Sequence, residues 1–313
     1  MASPEVMPLP VGELESPRLL RSGHSSLPTR PPAPRPFTPL LPLDEVANLP
    51  VDATVVIPTY NERENIATMI RSLESVLATL PYRTEILIVD DDSPDGTADV
   101  VRHLPTRVPT RVLVRHDEKG LASAVLAGIS RAKGRACVVM DVDGSHPADM
   151  VPTLLETVLE GRAEMALASR YAPGGGTDDG WPQGRKVMSR IATWLARPLT
   201  AVHDPMTGYF AIDPKVLARS ELSPIGYKIG LEILVRCEPS PVLEVPFVFR
   251  DRRAGRSKMS HGEVIRYARH LSRLYVDRLG RSEEARKRSS AAASAASAPS
   301  PAKPEPPTDP TPG

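Results

Sequence analysis

The run VVMDVDGSHP (residues 138–147) places two carboxylates, Asp141 and Asp143, one residue apart at the point where an apolar stretch stops. Two aspartates at i and i+2 beyond a strand can grip a hard divalent cation, Mg²⁺ or Mn²⁺, leaving the rest of its shell to phosphate oxygens and water. The same letters fit the D-x-D-G-[ST] loop of a phosphatase, with Asp141 as nucleophile and Asp143 as acid/base. They also fit a plain polar turn after a buried strand. A phosphatase needs a later lysine and a further acidic pair directly after an apolar strand. The pair Asp178-Asp179 lies instead in the glycine-rich APGGGTDDGW, and a phosphatase leaves the acidic run VDDDSPDGT (residues 89–97) without a role. A cation that neutralises a nucleotide diphosphate as its bond to sugar breaks fits the pair better.

The elements that must hold these carboxylates alternate in type. ATVVI (53–57) reads as a buried strand stopped by Pro58. A helix follows, with Asn61 as its expected N-cap and apolar residues from Ile66 to Leu80 at helical spacing. TEILIVD, RVLVRH, ACVVMDVDG and EMALASRY read as four more strands, separated by helices over ADVVRHL, LASAVLAGISRAKG and ADMVPTLLETVLEG. Near-continuous apolar strands alternating with helices imply an α/β fold, a mostly parallel sheet flanked by helices. Ligands of such sheets bind beyond the carboxyl ends of the strands. Four polar clusters fall there: Pro58 to Glu62, Asp90 to Asp92, Asp141 with Asp143, and Ser169 to Tyr171.

Bulk composition narrows the class. Lys+Arg 39 against Asp+Glu 38 gives no nucleic-acid signature in the 313-residue total. Two cysteines, Cys137 and Cys237, sit in apolar runs and are expected to be reduced thiols. Twelve of the 35 prolines crowd into residues 1–50 and seven into 281–313, so both ends are expected to be disordered around a folded unit near 51–280. No apolar run approaches the ~20 residues of a membrane span, and no signal pattern opens the chain. The expected location is cytoplasmic, peripheral at the cytoplasmic face of a membrane.

The segments VVIPTYNERENI, EILIVDDDSPDGT, VVMDVDGSHPADMVP, ASRYAPGGG, GWPQGRKVMSR, DPMTGYFAID, GYKIGLEILVR and EVPFVFRDRRAGRSKM resemble, in order over about residues 53–260, the dolichol-phosphate (polyprenol-phosphate) mannose synthases. These are inverting glycosyltransferases of the GT-A (nucleotide-diphospho-sugar transferase) fold. The pieces DDDSPDGT, SHP and GRSK carry the specificity of that resemblance. It implies that Pro58, Tyr60, Glu62, Asp90 and Asp91 bind the donor nucleoside, and that Asp141 and Asp143 hold metal and diphosphate with Ser145 beside them. It implies an acceptor-phosphate clamp of Arg170, Arg185 and Ser189, and a loop bearing Arg252 and Lys258 that closes over the diphosphates. Asp143, Arg185, Arg252 and Lys258 are then the residues expected to carry catalysis. Gly144 stands where many relatives have an apolar residue.

The reaction implied is mannose transfer from GDP-mannose to a polyprenyl phosphate, with UDP-glucose or another nucleotide sugar as the alternative donor. A nucleotide-sugar-binding scaffold without turnover is the alternative of a different class. A phosphate acceptor is already anionic near neutral pH and needs no general base. A sugar hydroxyl would need one, and Asp204 and Glu232 are the candidates. His116, His146, His203 and His261 show no ligand spacing. Residues 259–280 form a basic amphipathic helix, with Val264, Tyr267, Ala268, Leu271, Leu274, Tyr275 and Leu279 on one side. That face suits a membrane surface, a membrane-embedded partner protein or the protein's own core.

Overall fold

The computed structural model describes residues 50–178, 183–223, 225–249 and 261–296. The central strand is β1 (Ala53–Thr59), buried along its whole length. It pairs in parallel with β2 (Thr84–Asp90) on one side and β4 (Ala136–Val139) on the other, so that Val55 faces Ile86 and Val138. Around them run β3 (Thr110–Val114), β5 (Met165–Ser169), β7 (Phe210–Ile212) and β8 (Val242–Pro246), in the sheet order β3-β2-β1-β4-β7-β5-β8. Strands β6 (Gly176–Thr177) and β9 (Val248–Phe249) form a small separate ribbon.

Alternation along β1 decides which helix covers which face. Val55 and Ile57 join a core with Ile66, Ile70 and Leu73 of α1 (Arg63–Leu77), Val101 of α2 (Thr97–His103), and Leu154 and Leu155 of α4 (Val151–Leu159). Val56 points the other way, into Val125 and Ile129 of α3 (Leu121–Arg131) and Ile233 of α6 (Ile229–Arg236). A third cluster joins Ala196, Leu199, Leu231 and Val235 to Leu271 and Leu274 of the last helix, α7 (His261–Ala296). Ala196 closes α5 (Gln183–Ala196).

Two local expectations need correction, and one strand escapes the local pattern. The N-cap of α1 is Glu62, and Asn61 is left-handed at φ 58°, its N–H donating to Ser93 Oγ at 3.0 Å. The first turn is satisfied from another loop, where Asp95 Oδ2 accepts from Arg63 N–H at 3.0 Å. Secondly, β7 is antiparallel to both β4 and β5. Thirdly, α7 continues to Ala296, beyond the boundary expected at 280. The run SEEARKRSSAAASAA is rich in strong helix formers and holds no proline. The disorder expected of residues 1–49 and 297–313 lies outside the described residues.

At the sheet edge opposite the polar clusters, Gly134 has no room for a side chain: a Cβ there would stand 2.5 Å from the Ala53 Cα. Its N–H donates to Thr54 Oγ1 at 3.0 Å, and that hydroxyl donates to buried Glu85 at 2.9 Å. Gly134→Ala should therefore cost about 1–3 kcal/mol by forced backbone displacement. A urea midpoint indistinguishable from wild type would contradict this.

Candidate active site

The D-x-D loop is shaped before any ligand arrives. Strand β4 ends at Val139, and the chain turns through Gly144 at φ 82°, a conformation that favours glycine. Gly144 thus suits the turn. Asp143 is buried, and its Oδ1 accepts from Ser145 N–H at 3.0 Å. Asp141 is partly exposed, and its N–H donates to His146 Nδ1 at 2.8 Å. That contact makes Nδ1 the acceptor and leaves the ring proton on Nε2, 3.8 Å from Asp141 Oδ2. His146 is buried, stacked on Tyr209 with centroids 4.7 Å apart, and edge-on to Phe247 and Phe249. Tyr209 in turn donates its hydroxyl to Pro147 O at 2.8 Å. His146, which lacks ligand spacing in the sequence, is therefore the floor of this loop.

The donor set fits a hard cation. The Ser145 hydroxyl oxygen is buried without a hydrogen-bond partner, and the Asp141 carboxylate accepts no hydrogen bond among the described residues. No cluster of three or more His, Cys, Asp or Glu forms among those residues. Two carboxylates and a hydroxyl match Mg²⁺ or Mn²⁺, whose remaining positions go to phosphate and water.

The acidic run at the end of β2 is already engaged. Asp90 is fully buried and accepts from Thr59 Oγ1 at 2.9 Å, Ser93 Oγ at 2.6 Å and Ser93 N–H at 2.9 Å. Asp91 receives Arg115 Nε at 2.8 Å on Oδ1 and Gly120 N–H at 2.7 Å on Oδ2. Asp95 accepts from Thr97 N–H and Oγ1 and from Arg63 N–H, tying α1 to α2; burial pushes its carboxyl up, but these hydrogen bonds hold it below the usual range. Arg115, buried against Asp91, fixes the 115–120 loop and sets Lys119 Nζ 5.4 Å from the Tyr60 ring. Pro58 is buried, Tyr60 is exposed, and Glu62 accepts from Asn65 Nδ2 at 2.8 Å.

The first of the expected acceptor cations sits in a fork. Arg170 donates Nε to Asp204 Oδ2 at 2.7 Å and Nη2 to Oδ1 at 2.8 Å, and its N–H also reaches Oδ2 at 3.0 Å. Asp204 is 0% exposed, with both oxygens engaged. Glu232 is equally buried: Oε1 accepts from Ser223 N–H at 2.7 Å, and Oε2 lies 3.3 Å from His270 Nε2 of α7. Both carboxylates hold structure together, the role favoured for a phosphate acceptor. Ser189 of α5 accepts from the Tyr171 hydroxyl at 2.9 Å. Arg185 belongs to the first turn of α5, and Arg252 and Lys258 lie outside the described residues.

One cation escaped the sequence reading. Lys228 Nζ donates to Met206 O at 2.9 Å and lies 4.5 Å from the Tyr227 ring centroid. Burial pushes its ammonium down to about 8, with Arg170 acting the same way and Asp204 and Asp141 pulling it back up. The motif GYKIGLEILVR contains it, but nothing in spacing distinguishes it from a surface lysine.

A parallel sheet broken by one antiparallel strand, with an acidic pair at the C-terminal end of its fourth strand, defines a glycosyltransferase of the GT-A type. The chain belongs to glycosyl transferase family 2, whose model matches residues 54–218. A dolichol-phosphate mannosyltransferase of Pyrococcus furiosus is 41% identical over 225 residues, 71% of this chain and 63% of that protein. The chain thus spans less than two thirds of that relative's length. The dolichol-phosphate mannosyltransferase of Saccharomyces cerevisiae is 38% identical over 241 residues, covering 74% of this chain and 89% of the yeast protein. Among solved structures, glucosyl-3-phosphoglycerate synthase from Mycobacterium tuberculosis in complex with Mn²⁺, UDP and glucosyl-3-phosphoglycerate superposes with a TM-score of 0.53. At 19% identity over 78% of this chain and 86% of that one, the likeness is one of fold.

Lys228→Met removes a partly buried ammonium that has no carboxylate partner among the described residues, so at pH 7 the variant should melt at or above the wild-type temperature. The folded-state pKa is lowered from 10.5 to about 8. Between those values the unfolded chain still holds the proton, so wild-type stability rises with pH and any advantage of the variant should shrink across that window. A variant less stable than wild type at pH 7 would show that the ammonium stabilises the fold.

Proposed function

We propose that the chain transfers mannose from GDP-mannose to a polyprenyl phosphate with inversion, in the presence of Mg²⁺ or Mn²⁺. The observation that carries this reading is the pair of unspent oxygens in the D-x-D loop: the Asp141 carboxylate and the buried Ser145 hydroxyl, at the ligand-binding edge of the sheet. The names of the two relatives supply the sugar and the lipid. An ion held by Asp141 and Asp143, with Ser145, would neutralise the charge that gathers on the departing diphosphate.

The chemistry asks little of a base. An oxygen of the acceptor phosphate, anionic near neutral pH because the second ionisation lies near pKa ~6, attacks the anomeric carbon. The bond from that carbon to the β-phosphate oxygen breaks, and its electron pair leaves with GDP. Asp204, spent on Arg170, agrees with this economy, and Glu232 gives one oxygen to the Ser223 N–H. Positioning two anions is then the main task. Arg185 and Ser189 on α5 would take the acceptor phosphate, with Arg170 behind them holding Asp204. Lys228 would add positive charge between clamp and D-x-D. Arg252 and Lys258 would cover the diphosphate. Pro58, Tyr60 and Glu62 would line the nucleoside pocket, and Asp90 and Asp91 would hold its walls in place.

A polyprenyl chain keeps the acceptor in a bilayer, so the protein must work at a membrane surface. No helix among the described residues is long and apolar enough to cross a membrane. The face of α7 expected to meet lipid is largely spent on the protein's own core: Leu271 and Leu274 are buried, and the Tyr267 and Tyr275 hydroxyls donate to Ala192 O and Leu195 O, both at 2.7 Å. Val264 and Leu279 of that face remain exposed, as do Val187, Met188, Ile191 and Leu195 of α5 and Ile265 and Val276 of α7. A peripheral attachment through these helices is the reading they support.

The deciding test is transfer of label into an organic extract, using a short polyprenyl phosphate with labelled GDP-mannose or UDP-glucose in parallel. Label should follow GDP-mannose, vanish with EDTA, and fall more than about 100-fold in Asp143→Ala, since even partners of metal ligands cost 10–100-fold. Transfer from UDP-glucose alone, or transfer that survives chelation, would overturn the donor or the metal respectively.

A further inference from the structure

Beside α5 lies a cavity of about 270 Å³, lined by Tyr171, Arg190, Thr193, Trp194, Arg197 and His203. Its chemistry is one-sided. Among the described residues neither the Arg190 nor the Arg197 guanidinium has a carboxylate partner. From residue 180 to residue 203 the chain contains no acidic residue, against four arginines and lysines. His203 is tied through Nδ1 to Glu244 Oε2 at 2.7 Å, which leaves Nε2 as the ring nitrogen able to meet a ligand. The Thr193 hydroxyl, on a residue only 8% exposed, is buried with no hydrogen-bond partner. A buried hydroxyl left unsatisfied is costly, and a ligand oxygen would relieve it.

We propose that this cavity is a binding site for a phosphate group separate from the donor diphosphate, presented by the headgroup of an anionic lipid. Two guanidinium forks and an imidazole suit the oxygens of a phosphate, with Thr193 supplying a neutral donor. Trp194, 72% exposed, and Tyr171 give the amphipathic walls found where a polar headgroup meets apolar chains. The exposed apolar residues Val187, Met188, Ile191 and Leu195 share the helix that carries Arg190 and Trp194, so a headgroup in the cavity would keep its acyl chains beside an apolar face. The same cavity adjoins the expected acceptor clamp, because Tyr171 both lines it and donates to Ser189. The inference needs α5 and its neighbours alone and does not depend on mannosyl transfer.

The test reads binding without turnover. The chain has two tryptophans, so in a Trp181→Phe background the emission reports Trp194. Inorganic phosphate should shift that emission saturably at millimolar concentration. Vesicles containing phosphatidylglycerol should do so at far lower phosphate equivalents than pure phosphatidylcholine vesicles. Arg190→Gln with Arg197→Gln should weaken both responses at least tenfold without changing the melting temperature, whereas the double lysine variant should retain part of them. A response to inorganic phosphate without one to anionic vesicles would keep the phosphate site and overturn its lipid source. No response to either probe, or one unchanged in the glutamine variant, would overturn the site. Label transfer measured on the same variants separates this failure from that of the mannosyltransferase reading.

Discussion

The buried fork between Arg170 and Asp204 is the contact on which the acceptor side of the sheet depends. Taking both charges out of water costs several kcal/mol per ion, so the pair is poorly explained as a source of stability. What it does is fix geometry. Asp204 also receives the Arg170 N–H, and its own N–H donates to Glu244 Oε1 at 3.0 Å. One chain of hydrogen bonds therefore runs from β8 through the 203–204 loop to the end of β5. The Arg170 guanidinium lies 5.7 Å from the Phe249 ring, and that ring also packs edge-on to His146 beneath the D-x-D loop. Disturbing the fork would thus reach both the end of β5 and the D-x-D loop.

Carboxylates on this edge divide by how much of their bonding capacity the protein itself consumes. Asp90, Asp91 and Asp95 spend theirs on Thr59, Ser93, Arg115, Gly120 and Thr97, and so build loops. Asp141 does not, and it stands partly exposed. A metal site is better recognised by such unspent oxygens than by the density of acids, since DDD at the end of β2 is the richer acidic run and the one already satisfied. Internal satisfaction also makes the surrounding loops rigid, which catalysis by positioning requires.

How much of this was legible in the sequence follows from the range of the interactions. Five of the six parallel strands and their helices are written in local apolar periodicity, and the D-x-D in local spacing. Strand β7 was hidden because three residues, FAI, are too few to show a period. Asn61 read as an N-cap because its type suits one, yet a side chain 34 positions away, Asp95, does the capping at Arg63. His146, Arg115 and Lys228 were invisible as site residues for the same reason: each owes its role to burial and to partners distant in sequence. The apolar face of α7 was left open as to what covers it, because periodicity reports a side without naming its neighbour; Leu271 and Leu274 of it are buried, while Val264 and Leu279 are exposed.

The charge arrangement suggests why a lysine should be partly buried where no carboxylate meets it. Lys228 keeps its hydrogen bond to a backbone carbonyl and its place over Tyr227, while burial and Arg170 both work against its charge. A group held in that state gains more from an incoming phosphate oxygen than an exposed lysine would, because little water remains to be displaced and the local dielectric is low. The D-x-D loop is the mirror case: the Asp141 carboxylate and the buried Ser145 hydroxyl keep oxygens that a cation would engage. Neither half is at ease alone, and a metal-bound nucleotide diphosphate carries both complements at once. The proposed donor would thus complete the electrostatics of this sheet edge.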